Sequence, residues 1–266
     1  MAVIVDYHMH LRAPDESIEH TADAVEPYVE RAAERGIDEI GFTEHVYYFE
    51  QTRRLWSMPY HVERCVYDIE PYVDAVVEAK RRGHPVKLGI EVDYEPGREE
   101  ETAEALAPYP WDYVLGSIHF LDGLGIDARP SLVESVGAEA AWRRYYDTLG
   151  TAARTGLFDS LAHPDLVKFH GDEIDWDWDA VARSLDGVAI EVSSAGLHKP
   201  HGKLYPSPAF LEAARARKIP ITLASDAHIP QNVGRDLDRA VEHARAGGYE
   251  TITVFDRRER RQEPLG

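Results

Sequence analysis

Cysteine is all but missing: Cys65 stands alone. No internal disulfide can form, and a reducing, cytoplasmic setting is the expectation. Basic residues are scarce as well, 29 Lys and Arg against 48 Asp and Glu, for a formal net charge of -19. A nucleic-acid partner needs a basic face, so that class is excluded. The same charge repels a phosphorylated substrate unless bound divalent cations invert the local field. Long apolar runs are absent too. The N-terminal run is too short and too poorly flanked for a signal peptide, and no later segment approaches a membrane span. A glycine-rich phosphate loop, a linker, an internal repeat and a low-complexity stretch are all lacking. Ser193 and Ser194 carry no sign of a nucleophile elbow.

What is present is a core-forming composition, 44% hydrophobic over 266 residues, enough for one large α/β barrel or two modest domains. Short apolar runs alternate with helical patterns from end to end. Helices are expected over 21–35, 59–82 (broken or restarted at Pro71), 96–106, 137–154, 176–185, 208–217 and 233–246. Strands are expected along the stretch 3–10, with His8 and His10 at its C-terminal end, and at 37–43, 86–90, 111–118, 157–162, 188–190, 220–224 and 251–255. Strands alternating with helices call for a parallel sheet, and seven or eight such units in one domain give a TIM-like barrel. Residues 1–256 form that domain, with 257–266 a charged, frayed tail.

The informative residues fall at the strand ends. The run Val3-Ile4-Val5-Asp6-Tyr7 leads into His8 and His10, whose alternate spacing puts both imidazoles on one side of an extended chain. His45, Glu91, His119, His163, Glu191, Asp226 and His228 then end successive strands. In a barrel those ends converge. An open doubly wound sheet would not gather ligands from all of them. Each residue alone has a plainer use: His119 as a core histidine bonded to Ser117, His163 as a strand end before Pro164, Glu191 and Asp226 as helix caps. As an ordered set they read as a metal centre. Imidazole with carboxylate suits zinc, manganese or iron, and six histidines with at least two carboxylates exceed one ion's needs. Two or three ions sharing bridging carboxylates would use them. Ions roughly 3.5–4 Å apart can clamp both oxygens of an in-line displacement, and phosphate ester hydrolysis is the natural use. His61, His84, His170 and His243 read as solvated, and Trp176 and Trp178 as packing.

With these motifs the sequence resembles the PHP (polymerase and histidinol phosphatase) superfamily, in its monofunctional histidinol-phosphatase branch. The matching segments are Asp6-Tyr7-His8-Met9-His10, Phe42-Thr43-Glu44-His45, Gly89-Ile90-Glu91-Val92-Asp93-Tyr94, Gly116-Ser117-Ile118-His119-Phe120-Leu121, Ala162-His163-Pro164-Asp165, Glu191-Val192-Ser193-Ser194-Ala195-Gly196, Tyr205-Pro206-Ser207 and Ser225-Asp226-Ala227-His228. The resemblance implies a distorted (β/α)7 barrel with a trinuclear metal site. His8, His10, Glu91 and Asp226 would hold one ion, Glu91 would bridge to a second on His119 and His163, and His45 with His228 would hold the third. It implies hydrolysis of L-histidinol phosphate in histidine biosynthesis through a metal-bridging hydroxide, with Asp226, His228 and Glu91 at the chemistry. The rivals are another small phosphorylated metabolite as substrate, or a metal-binding module without catalysis.

Two departures stand out. The family places a further histidine beyond the first pair, where this chain has Arg12-Ala13-Pro14-Asp15-Glu16. Asp15 is the candidate replacement ligand, ahead of Glu16 and His20. The family also carries an arginine after Ala-Gly-Leu, where this chain has His198 and then Lys199. Those two, with Tyr205 and Ser207, are the candidate substrate-binding residues, with Lys199 or His198 as a point charge in place of a bidentate guanidinium.

Overall fold

The structure, a computed structural model, describes residues 2–11, 17–170 and 174–266. In chain order come β1 (Val5–Asp6), α1 (Ala22–Glu34), β2 (Glu39–Phe42), α2 (Pro59–Val62), α3 (Ile69–Arg81), β3 (Val86–Asp93), α4 (Glu99–Leu106) and β4 (Tyr113–Ser117). A small hairpin, β5 (Phe120–Leu121) and β6 (Leu124–Gly125), precedes α5 (Leu132–Val136), α6 (Ala138–Arg154), β7 (Ser160–Leu161), α7 (Trp178–Ser184), β8 (Ala189–Ser193), α8 (Pro208–Ala216), β9 (Ile221–Ala224) and α9 (Leu237–Ala246). A last hairpin joins β10 (Thr251–Asp256) to β11 (Glu259–Pro264).

Seven strands pair in the order β1-β2-β3-β4-β7-β8-β9, all parallel. Backbone bonds from Tyr7 N to Leu223 O (3.0 Å), Ala227 N to His8 O (3.2 Å) and His10 N to Ala227 O (2.8 Å) bring the first strand against the last. The sheet is thus a nearly closed (β/α)7 barrel, as expected. Strands covered on both faces bury nearly every residue, and β3 is buried at all positions but Lys87. Inside the barrel, Tyr113 occupies the space beside two glycines. A Cβ on Gly41 would collide with its hydroxyl, and one on Gly89 would lie 2.7 Å from its ring carbon Cζ. The Tyr113 hydroxyl donates to Tyr7 O at 2.7 Å, so the barrel floor is filled and the polar ends of the strands are left to the opposite mouth.

Two sequence expectations are corrected here. The helix expected over 59–82 is interrupted at 63–68, not at Pro71. Asp68 caps a new helix by accepting from Glu70 N at 3.1 Å, and Pro71 sits in that helix's first turn, where its missing N–H costs nothing. Residues 257–266 do not fray: β11 pairs antiparallel with β10 along its whole length. Leu265 is buried, and Val3 N donates to Pro264 O at 2.9 Å. Phe255 on β10 stacks on Tyr113 with ring centroids 5.3 Å apart, so the hairpin caps the barrel end remote from the histidines. Among the described residues no helix is long and apolar enough to cross a membrane.

Candidate metal centre

The strand ends bring His8, His10, His45, Glu91, His119, His163, Asp226 and His228 into one cluster. Glu91 stands at its middle, on β3, and the chain at His45 bridges directly to it in parallel register. Its Oε2 lies 2.7 Å from His45 Nδ1, 3.4 Å from His8 Nε2 and 3.8 Å from His10 Nε2. Its Oε1 lies 3.2 Å from His163 Nε2 and 3.6 Å from His119 Nε2. Asp226 Oδ1 approaches His8 Nε2 at 3.7 Å, His10 Nε2 at 3.6 Å and His228 Nδ1 at 3.5 Å. Ligand atoms in four overlapping triples lie within 4.8 Å of one another: His8, His10 and Asp226; His8, Glu91 and His163; His45, Glu91 and His119; His10, His45 and His228.

The backbone is shaped to allow this. His163 and Asp226 both sit at positive φ, 28° and 53°, a region non-glycine residues seldom adopt and one that concentrates at functional sites.

Behind the inward-facing rings stands a layer of carboxylates. Glu191 Oε1 accepts from His8 Nδ1 at 3.0 Å, and its Oε2 accepts from His163 N at 2.9 Å. Glu44 Oε1 accepts from Leu11 N at 2.6 Å, with its Oε2 3.6 Å from His10 Nδ1. Asp93 Oδ1 accepts from His119 Nδ1 at 2.7 Å. Carboxylates at this second remove orient imidazoles and set which nitrogen is bare. The sequence placed Glu191 among the strand-end residues without a role; its position mid-strand, fully buried, gives it one. For Asp93 the sequence does hold a signal. It alternates with Glu91 on one strand and so shares its face. For His61 no such signal existed. It was expected in solvent and is instead 1% exposed, with Nε2 3.1 Å from Asp93 Oδ2. His84, His170 and His243 are half-buried.

The electrostatics follow from burial and neighbours. Burial pushes His45 down to about 4 and His228 down to about 3, leaving both rings neutral at neutral pH. On His119 burial also opposes charge, but Asp93 and Glu91 outweigh it and raise the ring to about 10. On His8 burial is outweighed in turn by Glu191, Glu91 and Asp226. Burial works against the Glu91 charge, yet His8, His45 and His119 hold its carboxyl well below the usual range.

The donor set fits divalent metal. His8 Nε2, both ring nitrogens of His10, His163 Nδ1 and Glu91 Oε2 are buried and have no hydrogen-bond partner among the described residues. Buried polar atoms left in that state are rare, and a cation with nitrogen and oxygen ligands would partner most of them at once.

Of the other candidates, Asp15 and Glu16 lie outside the described residues. His20 lies 3.9 Å from Glu44 Oε1 and packs against Phe49, Tyr67 and Tyr72. Lys199 reaches the rim, with Nζ 3.9 Å from Asp226 Oδ2. Tyr205 is buried, its ring 6.2 Å from that of His163. Ser207 N donates to Asp165 Oδ2 at 2.7 Å and opens α8. His198 pairs with Asp236, Nε2 to Oδ2 at 2.8 Å.

The model of the PHP domain family matches residues 6–195. A protein of Deinococcus radiodurans named "Probable histidinol-phosphatase" is 32% identical over 275 residues, covering 99% of this chain and 100% of that protein. The histidinol-phosphatase of Bacillus subtilis is 26% identical, covering 83% of this chain and 92% of its own. Among solved structures, the histidinol phosphate phosphatase of Lactococcus lactis, determined in complex with zinc, L-histidinol and phosphate, is 18% identical with a TM-score of 0.74, covering 98% of this chain and 100% of that one. That likeness shows a shared fold.

Proposed function

The chain belongs to the PHP domain family, and we propose that within it the protein is a metal-dependent phosphomonoesterase that hydrolyses L-histidinol phosphate to L-histidinol and phosphate. The observation that carries the reading is Glu91, a buried carboxylate whose two oxygens are shared among five imidazoles. A carboxylate so placed could bridge two ions. His8, His10 and Asp226 would complete one coordination set with Glu91, and His119 and His163 a second. His45 and His228 would supply the third, which Asp15 would extend. The relatives' names agree with that use.

Two or three zinc, manganese or iron ions held there would supply positive charge to the phosphoryl oxygens and acidify water at neutral pH. The protein's own contribution is placement. Glu191 and Asp93 fix the rings of His8 and His119, so these two ligands need not reorganise during reaction. Lys199, beside Asp226, offers a cation to a phosphate entering the mouth. The short 3-10 helices 46–48 and 50–55 follow His45 in the chain; the His45 ring stacks on Tyr47 at 4.8 Å and meets Tyr48 at 5.3 Å, with Trp56 6.4 Å from Tyr47.

The test is metal removal. Protein stripped with a chelator should release no phosphate from L-histidinol phosphate, and added manganese or zinc should restore it. Glu91→Gln, nearly isosteric, should fold yet retain less metal and lose most activity. Stripped protein as active as loaded protein, or a Glu91→Gln variant with full metal content and rate, overturns the reading.

A further inference from the structure

We propose that His61 is a positioning residue of this centre, acting through Asp93 on His119. The inference rests on the metal-centre reading above. His61 belongs to no barrel strand; it lies on the short helix α2, and nothing in its sequence neighbourhood marks it. Yet its ring is buried and its Nε2 lies 3.1 Å from Asp93 Oδ2. A carboxylate can only accept, so Nε2–H donates. The other oxygen of Asp93 accepts from His119 Nδ1 at 2.7 Å and from His119 N at 3.1 Å, and it lies 3.4 Å from Ser117 Oγ. The two oxygens of one buried carboxylate are thus divided between two imidazoles, His61 on the outside and His119 on the inside.

The division has a consequence for His119. With Nδ1–H committed to Asp93, Nε2 is the nitrogen left to exchange its proton for a metal ion, and it is 3.6 Å from Glu91 Oε1. The ring is therefore held in the tautomer and orientation a metal ligand needs. Asp93 can hold it only if its own carboxylate plane is fixed, and His61 supplies the outer contact that fixes it. Remove that donor and Oδ2 becomes a buried acceptor without a partner, a costly state that turning the carboxylate would relieve at the expense of His119.

The surroundings keep water from substituting. The His61 ring is enclosed by Trp56, Phe120, Tyr47 and Tyr60, with ring centroids at 4.8, 4.9, 5.0 and 5.5 Å. Phe120 follows His119 in the chain, so the wall around His61 and the ligand it serves are parts of one segment. The plainer role, a clasp that only pins α2 to the barrel, makes a different prediction: stability would fall while the centre itself stayed unchanged.

The experiment compares wild type, His61→Phe and His61→Gln in the full-length protein. Phenylalanine fills the aromatic box without a donor, and glutamine keeps an N–H close to the position of Nε2. Two readouts are taken: zinc affinity by chelator competition, and the His119 Nδ1–H resonance with its nitrogen shifts in the zinc-loaded protein. His61→Phe is expected to weaken zinc about tenfold and to broaden or lose the His119 Nδ1–H signal, and His61→Gln to recover most of both. Wild-type zinc affinity and an intact His119 signal in His61→Phe, with only a lower Tm, overturn the proposal. Should His61→Phe not fold, the wild type still decides: His119 bound through Nδ1, with its proton on Nε2, contradicts the arrangement outright. A wild-type protein that holds no zinc would instead sink the metal-centre reading.

Discussion

Glu191 accepts from His8 Nδ1 at 3.0 Å with one oxygen and from the backbone N–H of His163 at 2.9 Å with the other. One buried carboxylate thus serves two residues that face Glu91 from different strand ends, and it braces His163 at a φ of 28°. An amide in its place has a single acceptor, and its NH2 must then face one of two donors. Glu191→Gln is therefore expected to fold but to bind metal about 10–100-fold more weakly, as measured by chelator competition. Full metal affinity in that variant would reduce Glu191 to packing.

Lys199 approaches Asp226 at the mouth, with Nζ 3.9 Å from Oδ2 and the side chain about one-third exposed. Its contribution should be to ground-state binding of the phosphate. Lys199→Ala is expected to raise KM about tenfold, the scale of one hydrogen bond to a charged group, and to change kcat less. Lys199→Arg should restore or lower KM, because the guanidinium binds phosphate in a bidentate manner. An unchanged KM in Lys199→Ala would remove it from the substrate site.

The pH dependence is most readable at His201. Burial, helped by the Lys168 charge, pulls its pKa from 6.5 down to about 4. Its Nδ1 accepts from Lys203 N at 3.1 Å and its Nε2 meets the Tyr205 hydroxyl at 2.8 Å, so protonating Nδ1 would break an existing bond. The unfolded chain takes up this proton more readily than the folded one. The stabilisation is therefore complete above about pH 6.5 and is lost as pH falls toward about 4. A histidine titration followed by NMR should give His201 a midpoint near 4, and His201→Gln should flatten that part of the stability curve. A midpoint near 6.5 would show that the ring is solvated.

The legible part of the molecule was the part written in local pattern. Apolar runs ending in His8 and His10, Glu91, His119 or Asp226 place those residues at one barrel mouth, because parallel strands share a direction. The supporting layer was not legible in the same way. Glu191 and His8 are 183 positions apart, and His61 and Asp93 are 32 apart; no periodicity links them, and only the closed barrel brings them together. His61 looked solvated because a short helix opened by Pro59 gives no sign of which face it buries. The segment Glu259–Pro264 looked like a tail because it lacks an apolar face, and its backbone bonds to β10 define the strand. Pro71 resembles a helix break in isolation, but it stands three positions past the cap at Asp68, where proline is well tolerated.

The most direct measurement is kcat/KM of the metal-loaded protein for L-histidinol phosphate against a plain aromatic phosphate. A site whose buried polar groups pair with the amine and imidazole of the substrate rejects a compound lacking them steeply. A preference of at least about a hundredfold is expected, the scale set by one or two unpaired polar groups. Comparable turnover of the two compounds, or no phosphate released from L-histidinol phosphate, would contradict the assignment.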